Sequence, residues 1–230
     1  DVRMLAFADR MPANEKTPLS EAAKKKLRKH FQIGKWIGIG AVYPISKVHA
    51  AADKKYIAAH IGRLVDDITF YDEATVSKVY KKAGEDIRAW LDFMFNKSLL
   101  KGFTSVKGIN MLYWRKPLSV SINDVHKDRC GVIWYCPAIP FTAADTRKAV
   151  RICNSISEKY GFEMNLGFLF ISQRVLDITG AICYDRDKPG DDARAMQCHN
   201  EILQTMAAEG YSPYRLGIQS MHMMLLQDNG

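Results

Sequence analysis

The glycine pair Gly38-Ile39-Gly40, six histidines and five cysteines are the residues whose types could carry familiar chemistry, and in each case the spacing withholds it. A dinucleotide-binding turn needs a third glycine where Tyr43 stands, and a helix opening directly at the turn, whereas these glycines lie inside a strand-like pattern. His30, His49, His60, His126, His199 and His222 include no pair four residues apart and no acid-flanked ligand pattern, so core or surface roles are expected and no metal. Cys130, Cys136, Cys153, Cys183 and Cys198 are odd in number and form no CxxC, which argues against a zinc site and against a full disulfide framework. A reducing compartment follows as the simpler expectation, with the cytoplasm favoured over the periplasm.

Composition narrows the classes further. Over 230 residues the chain is 47% hydrophobic and 25% charged, ordinary values for a soluble globular protein, and no apolar run is long enough to span a bilayer. The net charge of +8 is concentrated at Lys24, Lys25, Lys26, Arg28 and Lys29, where few aromatics interleave. A solvated helix face explains that cluster better than a nucleic-acid surface. The opening DVRMLAFADRMP resembles neither a secretory signal nor a transit peptide, and is expected to begin inside a longer protein.

The elements that must position any site read as follows. Ser20 and Glu21 open a helix through PLSEAAKKKLRKHF, a strand is expected over 33–43 up to Pro44, a helix from Ser46 to Leu64, and a short strand in VDDITFY. Val76, Val79 and Tyr80 suggest another helix, and IRAWLDFMFN a further one interrupted at Lys97, while Gly108 to Arg129 read as strand ends and a long loop. CGVIWYCP alternates as a strand, and Thr142 with Asp145 forms a capping box before a helix carrying Ala149, Cys153, Ile156 and Tyr160. GFEMNLGFLFIS reads as a strand buried on both faces, and LDITGAICY as one with Leu176, Ile178, Gly180, Ile182 and Tyr184 on one face. A turn at Lys188-Pro189-Gly190 leads to a helix with Ala195, His199, Ile202, Leu203 and Met206 on one stripe, ending at Gly210, and PYRLGIQS reads as a last strand. The expected class is α+β: a mostly antiparallel sheet, helices on one face, two ferredoxin-like βαβ units.

Four collinear stretches resemble the flavoenzymes of the vanillyl-alcohol oxidase and 4-cresol dehydrogenase family: PLSEAAKKKLRKHFQIGKWIGIGAVYP, INMLYWR followed by GVIWYCP, KYGFEMNLGFLFISQRVLDITGAICYDRD, and AAEGYSPYRLGIQSM. The resemblance implies the C-terminal substrate-binding cap domain of a larger FAD-linked oxidase, with residues 1–32 leading in and 33–230 forming the cap, and with most of the FAD held by a separate FAD-binding domain. It implies oxidation of para-alkylphenols or para-hydroxybenzyl alcohols by hydride transfer to flavin through a quinone methide. Tyr214 and Arg215 fall on the family's pair at the phenolate oxygen, where stabilised charge makes the ring a better hydride donor. Tyr113 falls on the tyrosine that links covalently to flavin in 4-cresol dehydrogenases, and Trp134 on the cofactor side. Ile133 occupies the place of the linking histidine of vanillyl-alcohol oxidases, which excludes that linkage and leaves a noncovalent flavin as the alternative to Tyr113. Phe168 replaces an acid of the 4-cresol enzymes, and Asp177 one of a pair of histidines, so both are assigned to the substrate pocket. The partners implied are a phenolic small molecule, the FAD-binding domain, and a cytochrome c or a second copy of the chain. A stand-alone ferredoxin-like binding module without flavin is the competing expectation.

Overall fold

The strand β4, Val175–Asp185, organises the sheet because its side chains alternate. Leu176, Ile178, Ile182 and Tyr184 point to one face, and Asp177, Thr179, Ala181, Cys183 and Asp185 to the other. The fold is that of a computed structural model, described for residues 19–31, 34–96, 99–104, 106–117, 119–218 and 220–221.

Along one edge of β4 run β1, Cys130–Tyr135, and β2, Ala138–Pro140; along the other runs β3, Met164–Phe170; all pairings are antiparallel. The overlap of β3 with both other registers on β4 puts β1 and β2 together on the opposite edge. Between them lies Cys136-Pro137, where proline has no N–H to give to a ladder. The helix α5, Ala143–Lys159, carries the chain from β2 to β3, so β1 and β3 are parallel with β4 inserted between them, a split βαβ unit. Helix α6, Asp191–Ala208, follows β4.

Both helices pack on the same sheet face. Ala149, Cys153 and Ile156 of α5 and Ala195, Cys198, Ile202, Leu203 and Met206 of α6 meet Ile133, Tyr135, Ile139, Met164, Leu176, Ile178 and Ile182 in one core. Each large aliphatic side chain buried there contributes about 1.5–3 kcal/mol. Helix α5 starts as its sequence predicts: the Thr142 hydroxyl accepts the Asp145 N–H at 3.0 Å and donates back to the Asp145 carboxylate, which also accepts the Tyr211 hydroxyl at 2.7 Å. Gly131 is required by a close approach, since a β-carbon there would lie 2.4 Å from the Tyr184 ring. Gly190 has φ 83°, a left-handed turn into α6 that suits glycine.

Two of the expected strand readings change here. Among the described residues β3 has β4 as its neighbour and otherwise lies at the edge, with Leu169 50% and Phe170 72% exposed, so its apolar run is not buried on both faces. In its described residues PYRLGIQS forms only a bridge between Pro137 and Pro213, because its proline and the bend at Tyr214-Arg215 stop a ladder from extending.

The chain divides into two compact units, which for their larger parts are residues 22–108 and residues 109–230. The sheet belongs to the second. The first is helical: α1, Glu21–Phe31; α2, Lys47–Ile61, with the Ser46 hydroxyl accepting the His49 N–H; α3, Glu73–Lys82; and α4, Glu85–Leu91, continuing as a π-helical stretch Asp92–Asn96. The expected interruption at Lys97 lies outside the described residues. The strands expected over 33–43 and in VDDITFY are not formed in the described residues of those stretches. Trp36, Ile39, Val42 and Tyr43 have the composition of a strand but are exposed, and no ladder among the described residues takes up their backbone groups.

Candidate functional site

With one sheet face closed by α5 and α6, the chemistry collects on the other. That face has two ends of different character.

The end near Asp185 is covered by the chain around Trp114. Lys116, 6% exposed, places Nζ 2.5 Å from Asp185 Oδ1 and 2.6 Å from Asp187 Oδ2, and Arg129 Nε lies 2.8 Å from the second carboxylate's Oδ1. Burial pulls the lysine's pKa down, but the hydrogen bonds to the two aspartates outweigh it and the net shift is upward. Arg115 donates to the Gly161 carbonyl at 2.9 Å, and burial lowers its pKa. Glu163 and Cys183 are buried beside it. Tyr113 belongs to this closed part. Its side chain is fully buried, its hydroxyl donates to Asp128 at 2.5 Å and accepts the Asn123 N–H at 3.1 Å, and burial followed by the Asp128 carboxylate raises its pKa.

The other end is open. Trp134, opposite Ala181, is 49% exposed, and Leu169, opposite Asp177, is 50% exposed. Three strips of backbone lie side by side there: the Ile178 N–H donates to the Pro137 carbonyl at 2.9 Å, the Ala138 N–H to the Ser212 carbonyl at 2.9 Å, and the Tyr214 N–H to the Cys136 carbonyl at 3.0 Å. This ladder brings the Tyr214-Arg215 turn alongside Asp177. The Arg215 guanidinium stands 5.5 Å from the centre of the exposed Tyr214 ring. Asp177 is 7% exposed, and its Oδ1 is buried without a hydrogen-bond partner among the described residues. Burial pushes its carboxyl up, and the positive charge of Arg215 works against that rise. The Cys136 thiol is pushed up by burial and then by the Asp177 charge, with Arg215 again opposing.

Of the residues singled out in the sequence, the structure therefore brings together Asp177, Tyr214 and Arg215, with Trp134 on the same face two residue pairs along the strand. Phe168 is not with them. It pairs with Ile178 and packs against the helix-side core, because a strand turns alternate residues to opposite faces. The residue whose register puts it opposite Asp177 is Leu169, and strand alternation could have identified it. Tyr113 sits apart from the open end. Ile133 faces the core, and the next residue, Trp134, faces the open side. Lys116 was not identified from sequence, since its partner Asp185 is 69 residues away and no spacing rule links them.

Apolar, partly aromatic surface beside a guanidinium and a tyrosine hydroxyl suits a flat ring bearing an oxyanion. Among the described residues no cluster of histidine, cysteine and carboxylate side chains could hold a metal ion. No helix among them is long and apolar enough to cross a membrane.

No family model matches the chain. Its sequence is 33% identical over 235 aligned positions to the 1'-carboxy-chondrochloren decarboxylase of Chondromyces crocatus, covering 96% of this chain and 42% of that protein. It is 24% identical over 148 positions to the 4-cresol dehydrogenase [hydroxylating] flavoprotein subunit of Pseudomonas putida, covering 61% of this chain and 26% of the subunit. The fold is similar to that of p-cresol methylhydroxylase with substrate bound, with a TM-score of 0.70 at 17% identity over 95% of this chain and 38% of the other. It is similar also to 4-ethylphenol oxidase from Gulosibacter chungangensis in an isoeugenol complex, with a TM-score of 0.72 at 18% identity over 96% and 39%. The chain thus spans less than half the length of the proteins it matches.

Proposed function

We propose that this chain, whose sequence and fold fit the cap domain of the 4-cresol dehydrogenase family, forms the substrate side of an FAD-dependent oxidoreductase acting on para-substituted phenols. The observation that carries this reading is the meeting of Tyr214, Arg215 and Asp177 on the open sheet face, beside half-exposed Trp134 and Leu169. The open face fits a planar cofactor: Trp134 and Leu169 offer apolar surface, and Ala138, opposite Asp177, adds little bulk. These residues would lie against the flavin, while its phosphates are held by residues outside this chain.

The chemistry that FAD would supply when bound is acceptance of a hydride from the side-chain carbon para to the hydroxyl, which would leave the substrate as a quinone methide. The residues of this chain hold the other end of the ring. Arg215 and the Tyr214 hydroxyl stabilise the phenolate oxygen, and charge fixed there pushes electron density toward the para carbon. The apolar surface limits water around the ring and strengthens that interaction.

The relative matched along 96% of this chain is named as a decarboxylase, which favours one fate of the oxidised substrate. A carboxylate on the carbon next to the oxidised one leaves as carbon dioxide, its bonding pair becomes the side-chain double bond, and the ring regains its aromaticity and phenolate charge. Leu169 is the residue opposite Asp177 on the open face, so β3 presents no acid there.

Expression from the complete reading frame should give a yellow protein that a para-substituted phenol bleaches without oxygen. A preparation that takes up no flavin refutes the proposal. Arg215→Ala should lower turnover by about 10²–10³-fold while flavin binding is retained; equal loss of both would show that Arg215 serves the fold or the cofactor instead. The buried, hydrogen-bonded Tyr113 hydroxyl supports a noncovalently held flavin. Acid precipitation should then release the colour into solution, and a yellow pellet would assign a covalent link.

A further inference from the structure

At neutral pH a phenol arrives protonated, since its hydroxyl ionises near 10. A site that holds it as phenolate needs somewhere for the proton to go, and the open end of the sheet contains a group suited to receive it. We propose that Asp177 takes up the phenol proton, so that the substrate exchanges places with Asp177 as the anion beside Arg215. This rests on the phenolate reading given above.

Three observations carry it. Asp177 is 7% exposed and its Oδ1 is buried with no hydrogen-bond partner among the described residues, which leaves that acceptor unused among them. The ladder through Pro137–Pro213 sets the Tyr214-Arg215 turn against the stretch that pairs with β4 at Asp177. Among the described titratable and charged groups, Arg215, from the turn, acts on Asp177, and Asp177 in turn acts on Cys136, from the link between β1 and β2. Opposite it on β2 and β3 stand Ala138 and Leu169, which contribute no charge.

The step balances. The phenol O–H bond breaks with its electron pair left on the phenol oxygen, and an O–H bond forms on the Asp177 carboxylate. Before it, Arg215 is positive, Asp177 negative and the phenol neutral; after it, Arg215 is positive, Asp177 neutral and the phenol negative. Net charge in this partly desolvated place is unchanged, which avoids burying two anions around one guanidinium. Burial already disfavours the carboxylate, and an arriving phenolate disfavours it further, so the transfer is driven from both sides.

The test uses the flavin-loaded protein made from the complete reading frame and 4-chlorophenol, which has no side-chain hydrogen to lose. Phenolate formed on binding is read from its near-ultraviolet absorption, and protons released are counted with an indicator dye in weak buffer. Unsubstituted protein should show phenolate with no net proton release. Asp177→Asn should release one proton per phenolate formed, and its affinity for the phenol should fall about tenfold per pH unit below the phenol's own pKa. Asp177→Glu, which keeps an acid, should restore ionisation without release. A full proton released by unsubstituted protein, or none released by Asp177→Asn while phenolate forms, overturns the proposal and leaves the phenolate site standing. No phenolate in unsubstituted protein at any pH overturns the phenolate site and this proposal together.

Discussion

The two faces of the sheet divide the work of the protein between them. The face under α5 and α6 is apolar, closed and continuous from Ile139 to Tyr184, with its aliphatic side chains almost wholly buried. The opposite face uses the same four strands but carries Asp177, Trp134, Cys183 and Asp185, closed by Lys116 at one end and open at the other. Alternation along β4 means that neighbouring residues serve different faces: Ile178 is buried in the helix-side core, and Asp177 next to it lies on the open side. A substitution on the first face should therefore cost stability, and one on the open end should cost function with little change in stability.

The largest expected effect tests the covered end. Lys116→Met leaves Asp185 buried without its cation and should destabilise the protein by about 3–5 kcal/mol, measured by urea unfolding. A loss under 1 kcal/mol would mean that this end is solvated and belongs with the open one. Ile182→Ala, on the helix side, should cost about 2–5 kcal/mol through lost burial and a cavity. Thr142→Ala should cost about 1 kcal/mol by removing the cap of α5. Trp134→Ala should change stability by less than about 0.5 kcal/mol despite the size of the side chain, because half of it already faces water. A cost comparable to that of Ile182→Ala would erase the distinction between the faces.

A pH series sharpens the contrast at Asp177. Its pKa is raised by burial, so the folded state binds its proton more tightly than the unfolded chain does. Its contribution is therefore fully present below the unfolded pKa and declines as pH rises through the folded one. Asp177→Asn should remove that decline, making the substituted protein relatively more stable at pH 7 than at pH 3 when the two are compared by thermal melting. Equal pH dependence in both would place the carboxylate in solvent.

Much of the second unit was legible in sequence. The Thr142–Asp145 box, the stripes on α5 and α6 and the alternation of β4 are local signals, and each appears where its period places it. The first unit was read less well. IGKWIGIGAVY has strand composition, but a strand exists only when another takes its hydrogen bonds, and no spacing within that segment tells whether one does. Among the site residues, Tyr214-Arg215 and Asp177 were assigned through the family resemblance, and the fold brings them to the same end of the sheet. Phe168 was assigned from alignment, which does not distinguish the two faces of a strand, and a shift of one position to Leu169 changes the face.

The sequence by itself determined the α+β class, the helix-side core and the resemblance to phenol-oxidising flavoproteins, because periodicity and collinear motifs are written along the chain. Only the tertiary structure decided which residues share the open face, that Tyr113 is turned inward to Asp128, and that Lys116 closes one end on Asp185. Those outcomes depend on pairing between segments 15 to 69 residues apart, and local spacing carries no record of which distant segment will be the partner.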